Sequence, residues 1–143
     1  VGIEYNRYKV LNYDLVGMGQ CDVAFGKKPW SLLDDSLRNI RIGPIYYLDS
    51  QNEGYAVAVR NGDDVWHDIV AWTMYLLITF EYTNSVGNLP TYAFFAGLDQ
   101  NWAINVIEGH GDYGSIFNAT KGGEARGSNL YPELGGKLIV PII

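Results

Sequence analysis

The stretch YAVAVRNGDDVWHDIVAWTMYLLITF, residues 55–80, joins a strand pattern to a helix pattern and decides the fold class. Residues 55–59 alternate larger side chains with alanines, which predicts a strand that can be buried on both faces. Asp63 or Asp64 can then cap a helix, because a carboxylate accepts the free N–H groups of the first turn. Apolar side chains recur at helical spacing from there to Phe80. Short strands alternating with helices predict an α/β protein.

Further elements are predicted on both sides of this stretch. The predicted strands are Ile3–Tyr13, Cys21–Phe25 and Ile40–Tyr47. The predicted helices are Pro29–Leu37 and a segment from Asp99 or Gln100 to Ile107, capped by Asp99. Glycines at 109, 111 and 114 indicate a turn, and Gly122–Gly136 indicates a loop-rich tail.

Length and composition predict one soluble globular domain over residues 1–143. The 16 acidic and 10 basic residues give a net charge of −6, which argues against binding to nucleic acid. The single cysteine, Cys21, excludes an intrachain disulfide and a cysteine-based zinc site. The strongly hydrophobic run Ile69–Phe80 is shorter than the roughly 20 residues of a membrane span. The chain opens with Val1 and shows no signal peptide, so we expect a processed or trimmed start.

Two motifs suggest ligands but lack the context that their chemistry requires. Asp63 and His67 are four residues apart on one helical face, but a metal site needs a third ligand and nothing places His110 nearby. The glycine spacing at 109–114 is that of a dinucleotide-binding loop, which requires a preceding strand where a helix is predicted here. We therefore predict no metal and no cofactor.

Residues that could catalyse a reaction are not arranged for it. Cys21 lies in an apolar run, where a thiol is poorly reactive. Asp34 and Asp35 are adjacent, so on a helix their side chains diverge by about 100°. The sequence therefore predicts a protein that is not an enzyme.

Two lysines form the candidate ligand site. Lys27 and Lys28 follow Gly26 at the carboxyl end of the strand Cys21–Phe25, where ligands bind in open α/β sheets. Gly26, Lys27 and Lys28 are therefore predicted to bind a small anion, the alternative being an ordinary basic turn.

Three segments resemble one family. AVRNGDDVWHDIVAWT at 58–73 resembles the helix after the return crossing in periplasmic general L-amino-acid-binding proteins, the solute receptors of ABC transporters. GLDQNWAINVI at 97–107, continuing through 111–117, is similar to a second stretch, and GQCDV at 19–23 to a third. The tail from 125 to 141 is a looser match. The order of these segments is that of the family.

The resemblance implies a partial periplasmic-binding-protein-like lobe with a short mixed sheet flanked by helices. The chain would hold the later part of the second lobe and the return segment to the first, with the crossing near residues 55–62. The implied function is periplasmic binding of a small solute, an amino acid or a small anion, and its presentation to a membrane permease.

Departures from the family accompany these matches. The receptors are longer and hinge two lobes around the solute, whereas this chain resembles only their carboxyl-terminal part. The segment from Glu81 to Ala96 is shorter than theirs. Where the family places an acidic residue against the solute's ammonium group, this chain has Lys27, which disfavours a zwitterion and suits an anion.

The alternative hypothesis is a standalone α/β module that has lost transport-type binding. Helices shaped to pack on an absent lobe would expose apolar surface, which a second copy could cover. This hypothesis predicts a homodimer. A truncated remnant without function is the third possibility.

Overall fold

The structure, a computed structural model, describes residues 12–27, 39–91 and 96–138. Its elements in chain order are α1 (Asn12–Gly17), β1 (Val23–Lys27), β2 (Ile40–Leu48), β3 (Gly54–Arg60), α2 (Asp64–Thr83), α3 (Trp102–His110), α4 (Tyr113–Lys121) and a 3₁₀ turn (Pro132–Leu134). The α/β class is confirmed. The predicted helix Pro29–Leu37 and residues 3–11 of the first predicted strand lie outside the described residues.

The described sheet has three strands in the order β1-β3-β2. Both neighbours of β3 run antiparallel to it, with Phe25 opposite Val57 and Ile42 opposite Ala58. The expectation of a mixed sheet is therefore corrected for the described residues. A short turn joins β2 to β3, and a connection of that length makes an antiparallel hairpin. As predicted, β3 is buried on both faces, since the residues from Ala56 to Val59 are at most 2% exposed.

The helix α2 follows the sequence pattern closely. Asp63 is its cap, and its carboxylate accepts the N–H of Trp66 at 2.9 Å. The helix ends at Asn84, which takes the left-handed conformation at φ +52°. Its buried residues, Ala71 and 76–79, lie on the faces that pack against the sheet and the other helices. No helix of the described ranges is long and apolar enough to cross a membrane.

The helix α4 in the carboxyl-terminal half was not predicted from the sequence. The helix α3 begins at Trp102, and the Asp99 carboxylate accepts the N–H of Asn101 at 2.7 Å instead of capping the helix. The turn expected over 109–114 is limited to the residues around Gly111, whose φ of +78° suits glycine. Asp112 then caps α4 by accepting the N–H of Ser115 at 2.8 Å. The helix α4 was not predicted because the glycines at 109, 111 and 114 indicated a turn.

The first predicted strands are displaced. Residues 12 and 13, expected to be extended, are helical in α1. The strand expected at Cys21–Phe25 is β1, which begins at Val23 and continues to Lys27. Phe25 is 52% exposed, so β1 buries only one face. That face packs on α1. Tyr13 and Val16 are three residues apart, so they lie on the same side of the helix and both contact the sheet.

Three hydrophobic clusters form the described core. The cluster beneath α1 contains Tyr13, Val16, Ala24 and Ala58. The second joins the sheet to α2 and α4 through Leu48, Leu77, Ile78, Tyr113, Phe117 and Leu138. The third joins α2 to α3 through Leu76, Leu89, Trp102 and Ala103. The α2 helix therefore contributes to two of the three clusters and connects the two halves of the chain.

Tyr13 predicts how stability responds to alkali. Its side chain is 1% exposed, its hydroxyl donates to the Gly26 carbonyl at 2.6 Å, and burial raises the pKa of Tyr13 from 10.0 to about 12. Between these values the folded chain keeps a proton that the unfolded chain has lost, so the free energy of unfolding falls as pH rises. The contribution of Tyr13 to this fall is up to about 2.7 kcal/mol.

Urea unfolding between about pH 8 and pH 12 measures this contribution. We expect Tyr13→Phe to cost about 1 kcal/mol near pH 8, because the hydrogen bond to Gly26 is lost. Its stability then falls less steeply above pH 10 than that of the unmodified chain. Parallel pH profiles for the two proteins would contradict the prediction.

Candidate functional site

A cavity of about 460 Å³ lies between the β2–β3 hairpin and the helix α4. This volume is within the roughly 300–1,000 Å³ of typical small-molecule sites. The residues that line it are Tyr46, Tyr47, Asp49, Tyr55, Tyr113, Ile116, Phe117, Thr120 and Lys121. Five aromatic rings therefore form most of its wall, with one carboxylate and one ammonium group among them.

The helical repeat of α4 builds one wall. Tyr113, Phe117 and Lys121 are spaced four residues apart, which aligns them on one face of the helix. The Tyr113 hydroxyl donates to the Tyr46 carbonyl at 2.6 Å and attaches this face to the hairpin. The Phe117 ring lies 6.3 Å from that of Tyr47, centroid to centroid. The helix and the hairpin are thus held in contact by rings from both.

The carboxylate of the cavity belongs to the hairpin turn. One oxygen of Asp49 accepts the N–H groups of Gln51 and Glu53, each at 2.9 Å. The other oxygen lies 3.5 Å from the Nζ atom of Lys27. The hydrogen bond from the Glu53 backbone, with smaller contributions from Gln51 and Lys27, lowers the pKa of Asp49. Asp49 is therefore ionised at neutral pH.

The ammonium group of the cavity belongs to Lys121, in the last turn of α4. A positive charge there interacts favourably with the helix dipole. Its Nζ atom lies 4.8 Å from the centre of the Tyr47 ring. Across the described ranges, no carboxylate lies within 4.0 Å of it.

A second cavity of about 240 Å³ shares Tyr47, Asp49 and Phe117 with the first. Its other wall is the loop 124–129, in which Arg126 forms a bidentate ion pair with Glu81 of α2. The hydrogen bond from Glu81 raises the pKa of Arg126, and both side chains are at most 17% exposed. Since the guanidinium also donates to the Asn129 carbonyl at 2.8 Å, Arg126 holds the structure together rather than offering a free ligand site.

Several curated proteins align with this chain. It is 36% identical to the general L-amino acid-binding periplasmic protein AapJ of Rhizobium johnstonii, over 59% of this chain and 32% of that protein. It is 32% identical to the glutamate/glutamine/aspartate/asparagine-binding protein BztA of Rhodobacter capsulatus, over 58% and 32%. The Escherichia coli protein YhdW, named as a candidate amino-acid ABC transporter-binding protein, is 26% identical over 78% and 36%. The resemblance to periplasmic amino-acid-binding proteins of ABC transporters is confirmed.

The similarity covers only part of each of these curated proteins. The chain spans about a third of the length of the curated relatives it matches. These relatives are named as binding proteins rather than as enzymes. No family model and no solved structure matches the chain.

The structure describes two of the three predicted site residues. Gly26 lies inside β1, where it is buried and its carbonyl accepts the Tyr13 hydroxyl. Lys27 lies at the end of β1 and pairs with both Asp49 and Glu53, and the hydrogen bond to Glu53 raises its pKa. Lys28 lies outside the described residues. Lys27 therefore lies beside the carboxylate of the cavity, with its own charge balanced by two acidic side chains.

Lys121 was not predicted as a site residue because the helix α4 was not predicted. With Asp112 taken as a cap, the spacing Tyr113, Phe117, Lys121 would have indicated an aromatic face ending in a cation. Lys121 is therefore a second candidate cation beside the predicted Lys27.

The other motifs have structural partners. Asp63 caps α2, and His67 Nδ1 lies 3.2 Å from Asp68 Oδ1. Within the described ranges, no three histidine, cysteine or acidic side chains come together as a metal site would require. The helix α3 runs directly into residues 109–114, so the strand that a dinucleotide loop follows is replaced there by a helix.

Proposed function

We propose that this chain binds an amino acid or a closely related small solute for an ABC transporter. The observation that carries the proposal is the aromatic-walled cavity, which presents the Asp49 carboxylate and the Lys121 ammonium group to the same space. A free amino acid carries both opposite charges, and a few placed polar groups in an apolar pocket are the usual means of orienting a small ligand. The names of AapJ and BztA support the same solute class.

In this proposal the chain contributes the carboxyl-terminal part of a receptor. Residues 55–62, which include most of β3, are the segment that returns to the first lobe. A permease in the membrane then receives the solute from the receptor. Lys27 supports Asp49 through its ion pair, and solute binding by Gly26, Lys27 and Lys28 themselves stays a prediction. The relatives favour this receptor function over the self-associating module, whose homodimer stays a prediction.

A thermal-shift panel tests the proposal. The unmodified chain is heated with single L-amino acids, dicarboxylates and small inorganic anions, each at high concentration. A ligand at about 100 times its Kd stabilises the folded state by about 2.7 kcal/mol, which raises the Tm by about 5–11 °C at this chain length.

The proposal expects such a shift from one or more L-amino acids and none from sucrose at the same osmolarity. A shift from dicarboxylates or inorganic anions alone would contradict the amino-acid assignment. No shift from any compound of the panel would contradict solute binding by this chain.

A further inference from the structure

Lys121 is the cation of the cavity that has room for a partner. Lys27 already contacts Asp49 and Glu53, and Arg126 already contacts Glu81. Among the described residues, Lys121 has no such carboxylate, and its ammonium group lies above the face of Tyr47. An ammonium group with free donors at the edge of an apolar cavity is a binding point for a carboxylate.

The rest of the wall is uncharged apart from Asp49. Burial raises the pKa of Tyr46 to about 12 and that of Tyr113 further, so both rings are neutral at physiological pH. The Tyr113 hydroxyl is occupied by the Tyr46 carbonyl, and Ile116 and Phe117 offer only carbon. The wall therefore suits an aromatic or aliphatic group.

The geometry points to Lys121 as the carboxylate-binding residue of a cavity that takes an amino acid with an aromatic or apolar side chain. This inference rests on the proposed function and names the part of the solute that the protein holds. The solute's carboxylate pairs with Lys121, and its side chain packs against the rings of Tyr47 and Phe117. Asp49, held by two backbone N–H groups and Lys27, accepts the α-ammonium group only as a secondary contact.

Titration calorimetry with three ligands of one shape tests this assignment. L-Phenylalanine carries both charges, 3-phenylpropanoate lacks the ammonium group, and L-phenylalaninol lacks the carboxylate. We expect the first two to bind and L-phenylalaninol to bind at least about tenfold more weakly, because a hydrogen-bonded charge contact is lost.

Variants of two lysines identify the residue. Lys121→Gln should weaken binding of L-phenylalanine and 3-phenylpropanoate at least about tenfold, and Lys121→Glu should weaken both further. The matched control is Lys137→Gln, an exposed lysine outside both cavities, which should leave both affinities unchanged. If a Lys121 variant fails to fold, the comparison of the three ligands on the unmodified chain still tests whether the cavity binds a carboxylate.

Each outcome separates this inference from the proposed function. Equal binding of L-phenylalanine to the unmodified chain and to Lys121→Gln would overturn the role of Lys121 while amino-acid binding stands. Binding of 3-phenylpropanoate that Lys121→Gln weakens, with no binding of any amino acid, would support the carboxylate contact of Lys121 but overturn the amino-acid part of the inference together with the proposed function. Equal binding of L-phenylalanine and L-phenylalaninol would overturn the carboxylate contact, and no binding of any of the three ligands would overturn the inference.

Discussion

Replacing Arg126 by methionine is expected to lower the free energy of unfolding by about 3–5 kcal/mol. The guanidinium donates two hydrogen bonds to Glu81 and two to the Asn129 carbonyl, in a site where both charged side chains are at most 17% exposed. Methionine preserves much of the packing against Tyr113 and Phe117 but leaves the Glu81 carboxylate without its partner. A buried charge without a partner is among the most destabilising features in a protein.

Urea unfolding at neutral pH measures this effect, and the chain offers a matched control. Arg41 forms an ion pair with Asp64 in which the two side chains are 44% and 78% exposed. Arg41→Met should therefore cost at most about 1 kcal/mol. The double variant Glu81→Leu with Arg126→Met should be more stable than Arg126→Met alone, because it removes the unpaired charge. Equal losses for Arg126→Met and Arg41→Met would contradict the prediction.

Replacing Asn129 by leucine is expected to lower the free energy of unfolding by about 2–5 kcal/mol. Asn129 is 4% exposed, and its amide pairs with both backbone groups of Leu48, at 2.6 Å for the N–H and 2.7 Å for the carbonyl. Leucine fills a similar volume but cannot pair with either group. Two backbone groups at the end of β2 then stay buried without partners, and each costs about 1–3 kcal/mol.

The neighbouring Ser128 supplies the control for Asn129. Its hydroxyl donates to the side chain of Asn52 at 2.7 Å in an exposed position. Ser128→Ala should change the free energy of unfolding by at most about 0.5 kcal/mol. A loss below about 1 kcal/mol in the free energy of unfolding of Asn129→Leu would contradict the prediction. It would show that the Leu48 backbone groups do not depend on Asn129 for their hydrogen bonds.

The sequence predicted the elements whose side chains follow a clear period. The alternation at 55–59 identified β3, and the apolar spacing behind Asp63 identified α2 together with its cap. The α4 helix was missed because glycines at 109, 111 and 114 resemble a turn, whereas Gly114 lies within the first turn of the helix. Packing explains why position 114 is a glycine, since a Cβ atom there would lie 2.8 Å from Arg126 Nη1.

The candidate site was harder to predict because its groups are distant in the chain. Lys27 was identified as a cation near a strand end, but the partners that balance its charge lie on the hairpin turn more than 20 residues away. The Glu81–Arg126 pair connects residues 45 positions apart. Local patterns can indicate a helix or a strand, but which distant side chains meet depends on the packing of the whole chain. The resemblance supplied the solute class that the local patterns lacked.

The most direct test of the central claim is the location of a bound amino acid on this chain. The ¹⁵N-labelled protein is titrated with L-phenylalanine, and the backbone amide signals are followed by NMR. We predict saturable shifts concentrated in Tyr46, Tyr47, Tyr55 and the helix α4, with little change in α1 or α3. Saturable shifts confined to other parts of the chain, or no shifts at millimolar amino acid, would contradict it.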